Sequence, residues 1–526
     1  MQKKELSRTG NSILNLMSSL GGQLLITVCK FIVRTVFINT LGKSYLGING
    51  YFSDVLNMLS LTELGFDTAI NYKLYKPLAE HDTKRVRVLM KFYKVAYRVI
   101  GLVILVVGLL LIPLLPHIIK DYSRLADIGI NAPLVFVLFL LQTVCSYMFF
   151  AYRTAVMKAN QKKYVLDIAD YAVTVVSNIV QILILVYIRD FIIYTASAVV
   201  STIIKNTVNA IIAQHYYPEF FIKEEDSLSR EEILDLFKDC GALFIYKING
   251  TVLKATDNLV LGAFVGIATV GLYSNYLLFY TTIKSFLRQL YTAVKASTGN
   301  LFATEGIETQ YLFFQTMNYL TVLLYGTAAV GVAVCANELI ATWIGTGYLI
   351  PQPFSILIGI EILTVGLKQN LGQIRTVTGV FRQAWKRPIL SVIINLVSSV
   401  VLVQYIGIYG VILGTIMADV LTNLLVDPMV IHKYSFNNYK PVSEYYMKNI
   451  KYLAILACVG AFDMWVCSWL VAGHGWFSVL LHIMIVGVTV PTVYIALYWK
   501  NQECVYLRSI FKRVLGKVKG RINHSR

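Results

Sequence analysis

The chain has 526 residues, 56% of them hydrophobic and only 14% charged, with a mean hydropathy of +0.63. A soluble domain holds nearer about 45–50% apolar residues, so this composition excludes a water-soluble enzyme or binding module and describes a polytopic membrane protein. The net charge of +18 would suggest nucleic acid in a soluble chain, but here the excess lies between apolar runs and in the tail, where anionic lipid accounts for it.

Apolar runs recur from Ile13 to Trp499, about fourteen of them, each near the ~20 residues that a ~30 Å hydrocarbon core requires. In lipid such runs are helices. The first run is longer than a signal-peptide core and lacks a small-residue cleavage site, so it is expected to stay as a helix. Gln23, Thr27, Lys30 and Arg34 share one of its faces. A charge at mid-bilayer costs about 2.5–3.5 kcal/mol on insertion scales, so these cations need a cavity, a partner or a ligand to face. The second run holds Asp54, Glu63 and Asp67, and Asp167 and Asp170 lie near the fifth.

Basic residues sort the loops. Lys3 to Arg8, Lys73 to Lys94, Arg153 to Lys163, Arg382 to Arg387, Lys433 to Lys451 and the tail are rich in them; the intervening loops hold only scattered charges such as Lys43, Lys120, Arg124 and Arg189. Cytoplasmic loops retain Lys and Arg, which predicts both termini in the cytoplasm. Residues 216–239 form the one acidic stretch, with Glu224, Glu225, Asp226, Glu231, Glu232 and Asp235, and read as a solvated cytoplasmic connector.

Beyond that connector the first run is repeated. Lys247, Thr251, Lys254 and Asn258 reproduce Gln23, Thr27, Lys30 and Arg34 at an offset of 224, and Val265, Gly266, Val270, Gly271, Leu272 and Tyr276 reproduce Leu41, Gly42, Leu46, Gly47, Ile48 and Phe52 at the same offset. Arg375, Thr376 and Gln383 match Arg153, Thr154 and Gln161 at an offset of 222. Matches at nearly one offset indicate duplication. The unit spans about six helices, an even number, so both copies enter the membrane from the same side, as a parallel repeat. The predicted organisation is a six-helix lobe at 1–215, the linker 216–239, a second six-helix lobe at 240–435, an extra two-helix hairpin at 436–499 and a basic tail at 500–526. Val505, Leu507, Ile510, Phe511 and Leu515 give that tail the pattern of an interfacial helix.

The second half carries more charge at membrane depth: Asp257 in the seventh run, Lys284 and Arg288 on one face of the eighth, and Glu361 and Lys368 in the tenth. Mutual neutralisation between helices is the plain reading of such residues. The sharper reading is a cationic cavity lined by Lys30, Arg34, Lys247, Lys254, Lys284 and Arg288, with Asp54, Glu63, Asp67, Asp257 and Glu361 as candidates for coupling to a proton or sodium ion. Tyr273, Tyr276 and Tyr280 follow helical spacing, which suits helix packing first and stacking on sugar rings second. The histidines, among them His117, His215, His432 and His474, read as loop or helix-end residues without a nucleophile or ligand at useful spacing. Seven cysteines without a CxxC suggest neither a metal site nor a disulfide framework. No enzymatic activity, metal or organic cofactor is expected.

The run from Ile38 to Leu78, with Leu41-Gly42, Tyr45-Leu46-Gly47-Ile48, Leu59-Ser60-Leu61, Glu63-Leu64-Gly65 and Tyr72 to Pro77, resembles the start of bacterial polysaccharide-repeat-unit flippases of the Wzx type. These belong to the multidrug/oligosaccharidyl-lipid/polysaccharide exporter superfamily. The resemblance implies two six-helix lobes plus two helices in the cytoplasmic membrane. It implies movement of undecaprenyl-diphosphate-linked oligosaccharide to the outer leaflet, with a repeat-unit polymerase and glycosyltransferases as partners. Basic residues on the first helix of each lobe then correspond to Lys30 or Arg34 and to Lys254. A peptidoglycan-precursor flippase is the nearest alternative. A multidrug exporter is more distant, since cationic drugs favour an acidic cavity. A membrane-embedded transferase or ligase would need a long loop that is missing here, and a structural scaffold leaves the repeated cations without a purpose.

Overall fold

A computed structural model describes residues 8–60, 66–120, 122–222, 226–234, 236, 255–380, 383, 386–470 and 475–509. Among these the chain is helical, with no strand. It divides into two compact units, Met1–Gly271 and Leu272–Arg526.

In the first unit α1 (Arg8–Leu41) ends at Gly42, whose φ of +88° only glycine adopts without strain, and α2 (Lys43–Leu59) starts at once. After α3 (Phe66–Ala79), Asp82 caps α4 (Thr83–Leu111) by accepting from Arg85 N at 2.9 Å. Short α5 (Leu115–Ile118) and α6 (Ser123–Asp127) lead to α7 (Ala132–Met148), capped by Asn131. A bend of 42° separates α7 from α8 (Thr154–Ala159), with Phe150 left-handed at the break. Next come α9 (Lys163–Leu183) and α10 (Phe191–Tyr216), the latter capped by Asp190. Pairs α1 with α9, α10 with α7 and α4 with α7 form the body of the unit. Residues 255–264 form α11, which packs on α2: Gly262 leaves room for the Tyr51 ring.

The duplication is visible in the backbone. Gly266, the equivalent of Gly42, also has a positive φ, +125°, and α12 (Ile267–Thr304) follows it as α2 follows Gly42. A Cβ on Gly47 would meet the carbonyl of Ile267, and one on Gly271 would meet the carbonyl of Lys43. The two equivalent turns therefore cross with main chain against main chain, reciprocally.

The second unit is built on α13 (Ile307–Ile344) and α14 (Pro353–Thr378), which pack closely where Gly359 meets the Ala329 carbonyl and Gly366 meets the Tyr325 ring. The hairpin of α15 (Arg387–Ile406) and α16 (Ile408–Ala418) turns on Gly407, φ +56°. A π-helical segment, Asp419–Leu424, joins α16 to α17 (Val426–Tyr434). Finally α18 (Val442–Leu470) and α19 (Trp476–Tyr498) both lie on α13.

Ten helices among the described residues are long and apolar enough to cross a membrane, eleven if α7 and α8 make one bent span. The chain is therefore a multi-pass membrane protein. Fourteen crossings are expected, three more than these, and α2, α11 and α12 are not among the helices that qualify. The first is short, the second covers residues 255–264, and the third carries Lys284, Arg288 and Lys295.

Candidate functional site

On α1 the residues Leu24, Leu25, Val28 and Ile32 are exposed and apolar. At about 100° per residue, Lys30 and Arg34 fall on roughly the opposite side of the helix. Lys30 is nonetheless exposed, and Arg34 is half-buried in electrostatic contact with Tyr194 of α10. Thr27, on the same side, donates its hydroxyl to the Gln23 carbonyl at 2.7 Å and so is satisfied by its own helix. Helix α1 therefore presents two accessible faces, one greasy and one basic. Lys247 and Lys254, the predicted counterparts, lie outside the described residues, as does Glu63. Asp67 lies on α3, its side chain outside the description.

Of the predicted coupling carboxylates in this unit, Asp54 accepts from Asn57 at 3.3 Å and from Asn258 of α11. Asp257 is buried beside it in sequence. Asp167 pairs with Lys163 at 2.7 Å, while Asp170 pairs with Lys205 at 3.2 Å and accepts from Asn209 at 2.8 Å. The last two follow the plain reading of charge neutralised between and along helices. Outside the membrane, the connector is tied to the start of α4: Lys84 meets Asp226 at 2.6 Å, Arg85 meets Glu232 at 2.5 Å, and Arg87 donates to the Glu219 carbonyl at 2.6 Å. The Lys84 ammonium and the Arg85 guanidinium hold these two carboxyls below the usual carboxylate range.

The second unit contains a continuous charged network. Lys284 donates to the Tyr280 hydroxyl at 3.3 Å with its ammonium 5.2 Å from that ring, and Tyr280 in turn bonds buried Glu361. Lys368 grips both oxygens of Asp419 at 2.8 Å, and Asn423 donates to the same carboxylate at 2.8 Å. Arg387 bonds Asn423 and meets Asp427 at 2.6 Å, with Arg375 on the other Asp427 oxygen at 3.2 Å. Four cations thus stand against three carboxylates, and Arg288, one turn beyond Lys284, is exposed and adds to the positive excess. Buried pairs of this kind are costly where lone pairs and protons stay unsatisfied: Asn423 and Tyr280 supply part of what is needed, while Glu361 Oε2 and Arg375 Nε have no hydrogen-bond partner among the described residues.

The sequence pointed to Lys284, Arg288, Glu361 and Lys368 but passed over Asp419, Asn423 and Asp427, although two carboxylates in an otherwise apolar run carry the same signal as Asp54. Arg387, counted there with a basic loop, is buried. Tyr273 and Tyr276 are buried packing residues that sit edge-on to Phe354, with the Tyr276 hydroxyl donating to Asn337 at 2.6 Å, whereas buried Tyr280 belongs to the charged network. The placing of the histidines in loops or at ends without partners fails for His482, which lies within α19 against Glu338. It holds for His432, which lies in the last turn of α17, buried among Tyr311, Phe314, Phe436 and Tyr445.

A family model described as polysaccharide biosynthesis protein matches residues 12–295. No curated protein matches the chain. Among solved structures, the lipid II flippase MurJ in an inward closed conformation superposes with a TM-score of 0.65 at 13% identity, covering 93% of this chain and 99% of that one. An inward-facing multidrug resistance transporter of the MATE family, from the MOP superfamily, gives 0.54 at 13% identity, covering 81% and 99%. The Vibrio cholerae MATE transporter VcmN gives 0.51 at 14% identity, covering 83% and 99%. At these identities the likeness is one of fold.

Proposed function

Because the chain belongs to the polysaccharide biosynthesis protein family, we propose that it is a flippase, not an enzyme, moving undecaprenyl-diphosphate-linked oligosaccharide from the inner to the outer leaflet of the cytoplasmic membrane, with both termini cytoplasmic. The observation that carries this reading is the accessible basic face of α1, Lys30 and Arg34, on the side away from its apolar surface. A diphosphate is a compact double anion, and a guanidinium beside an ammonium suits it: the arginine grips two oxygens while the lysine supplies a point charge.

The sugar rides outside this contact, which explains why the basic residues need not specify it. Alternating access around the bound headgroup would carry it across, and the inside-negative potential favours outward movement of an anion by about 2.3 kcal/mol per charge per 100 mV. A polymerase and glycosyltransferases that consume and supply the lipid are the expected partners.

Mass spectrometry of prenyl-linked lipids from cells lacking the protein tests the assignment. Accumulation of diphosphate-linked oligosaccharide, cleared by the wild-type chain and not by Lys30→Ala combined with Arg34→Ala, is the expected result. Accumulation of a peptide-bearing headgroup moves the substrate to the peptidoglycan precursor. An unchanged pool removes both and leaves drug export.

A further inference from the structure

The C-terminal hairpin holds a polar cluster that the basic residues do not use. Helix α19 divides by face: Trp476, Phe477, Leu480, Met484 and Val488 are exposed, while Ser478, His482, Val486, Val490 and Tyr494, each four residues on, are buried on the side that meets α13. Opposite them on α13 stands Glu338. Ser478 Oγ donates to Glu338 Oε1, and His482 Nδ1 bonds Glu338 Oε2. On α18, fully buried Asp463 accepts from the Thr489 hydroxyl of α19 at 2.7 Å.

Two atoms in this cluster are left over. Asp463 Oδ1 and His482 Nε2 are buried with no hydrogen-bond partner among the described residues, and their residues are 0% and 6% exposed. Buried Cys335 of α13 and Cys467 of α18 interact electrostatically with both Glu338 and Asp463. One neighbourhood thus contains two carboxylates, an imidazole bonded to one of them, and two thiols. Asn337, next to Glu338 in sequence, is satisfied elsewhere by Tyr276 and Ser355. By helix rise, Glu338, Asp463 and His482 each lie about 10 Å in from the nearest end of their helices, at a common depth.

Titratable groups at membrane depth are costly and are kept where they carry ions or protons. The ligand that fits is the proton. A hard cation wants several free oxygens around it, whereas both Glu338 oxygens are already occupied by a hydroxyl and an imidazole nitrogen. An imidazole in direct contact with a carboxylate can instead hold a proton between the two groups.

We propose that Glu338, His482 and Asp463 form an intramembrane proton-binding site, distinct from the basic residues of α1 and α12, whose protonation is linked to the transport cycle. The link to transport rests on the flippase reading; the proton site rests on the geometry alone. With one proton between them, Glu338 and His482 are neutral as a pair. A second proton leaves a neutral carboxyl beside an imidazolium and removes the ionic attraction between α19 and α13. Loss of the shared proton leaves a lone carboxylate, and Asp463 takes up or gives back its proton beside them. Each step exchanges a proton with water and changes how firmly the α18–α19 hairpin is seated.

The test uses the full chain in lipid nanodiscs, followed by infrared difference spectroscopy between about pH 5 and about pH 8. A carboxyl carbonyl band that titrates in that window is expected, weakened in both Glu338→Gln and Asp463→Asn and displaced in midpoint by His482→Gln, with melting curves confirming that each variant folds. No titrating carboxyl, or a band unchanged in all three variants, overturns the site. Clearance of the accumulated lipid is then compared at the same two pH values. A wild-type rate that changes about threefold or more, flattened toward a ratio of one in Glu338→Gln, supports the link; intact wild-type clearance that ignores pH overturns it. A wild-type chain that clears no lipid rejects the flippase reading, and the infrared titration still decides whether the proton site exists.

Discussion

Gly47 and Gly271, 224 positions apart, occupy reciprocal places: each lies against the carbonyl that opens the other's helix, Gly47 on Ile267 and Gly271 on Lys43. A side chain at either would press on main chain, which cannot swing aside. We expect Gly47→Ala and Gly271→Ala each to destabilise the protein by about 1–3 kcal/mol, as overpacking does. Because both relieve the same strain by parting the same segments, the double variant should cost less than the sum. Thermal melting in detergent measures this, and unchanged midpoints would refute the close crossing.

Lys30 is exposed, so its removal touches little packing. Lys30→Ala should alter stability by no more than about 0.5 kcal/mol while reducing lipid clearance. Arg34→Lys should fall between wild type and Arg34→Ala, because it keeps the charge and loses the planar fork. Clearance that survives in the doubly substituted chain would remove the basic face from the mechanism.

Asp427 is fully buried between Arg375 and Arg387. Asp427→Ala leaves two guanidinium groups facing each other without a counter-charge, and we expect a loss of about 3–5 kcal/mol. Asp427→Asn, which retains a hydrogen-bond acceptor, should cost less. Denaturation followed by tryptophan fluorescence distinguishes them; equal, small effects would mean that water reaches the arginines.

The connector gives a pH dependence of definite sign. Asp226 and Glu232 are held below their ordinary range by Lys84 and Arg85. A depressed carboxyl contributes attachment that is complete above its free value and is lost as pH falls through the bound one. The connector should therefore stay docked at neutral pH and loosen in acid. Both pairs are exposed, so high salt should loosen it too. Hydrogen exchange over residues 226–234 reports the change, and Arg85→Ala should produce part of it at neutral pH. Exchange insensitive to both acid and salt would show that other contacts hold the segment.

Much of the architecture was legible because lipid restricts the chain to helices, so length and hydropathy locate them. The glycine turn after α1 was legible as well, since Gly42 and Gly266 recur at one offset and both adopt positive φ. Pairing was not legible. Lys368 finds Asp419 51 residues away, and His482 finds Glu338 at a separation of 144, and no local pattern encodes which apolar helices will be neighbours. A lone histidine in an apolar run therefore looked idle. Asp419 and Asp427 were passed over for a related reason: the meaning of Asp419 depends on Lys368 and that of Asp427 on Arg375 and Arg387, which the chain supplies from another helix and from the edge of a loop.

The π-helical segment Asp419–Leu424 acts on spacing. In a regular α-helix, residues four apart drift around the axis by about 40° at each step, whereas a widened turn carries them back the other way. Asp419, Asn423 and Asp427, spread over both kinds of turn, are thereby kept in one column facing Lys368, Arg387 and Arg375. An ordinary α-helix through the same eight steps would turn Asp427 by about 80° relative to Asp419, away from its arginines with every polar side chain still present. The alignment thus depends on the widened turn itself, more than on which apolar side chains fill it.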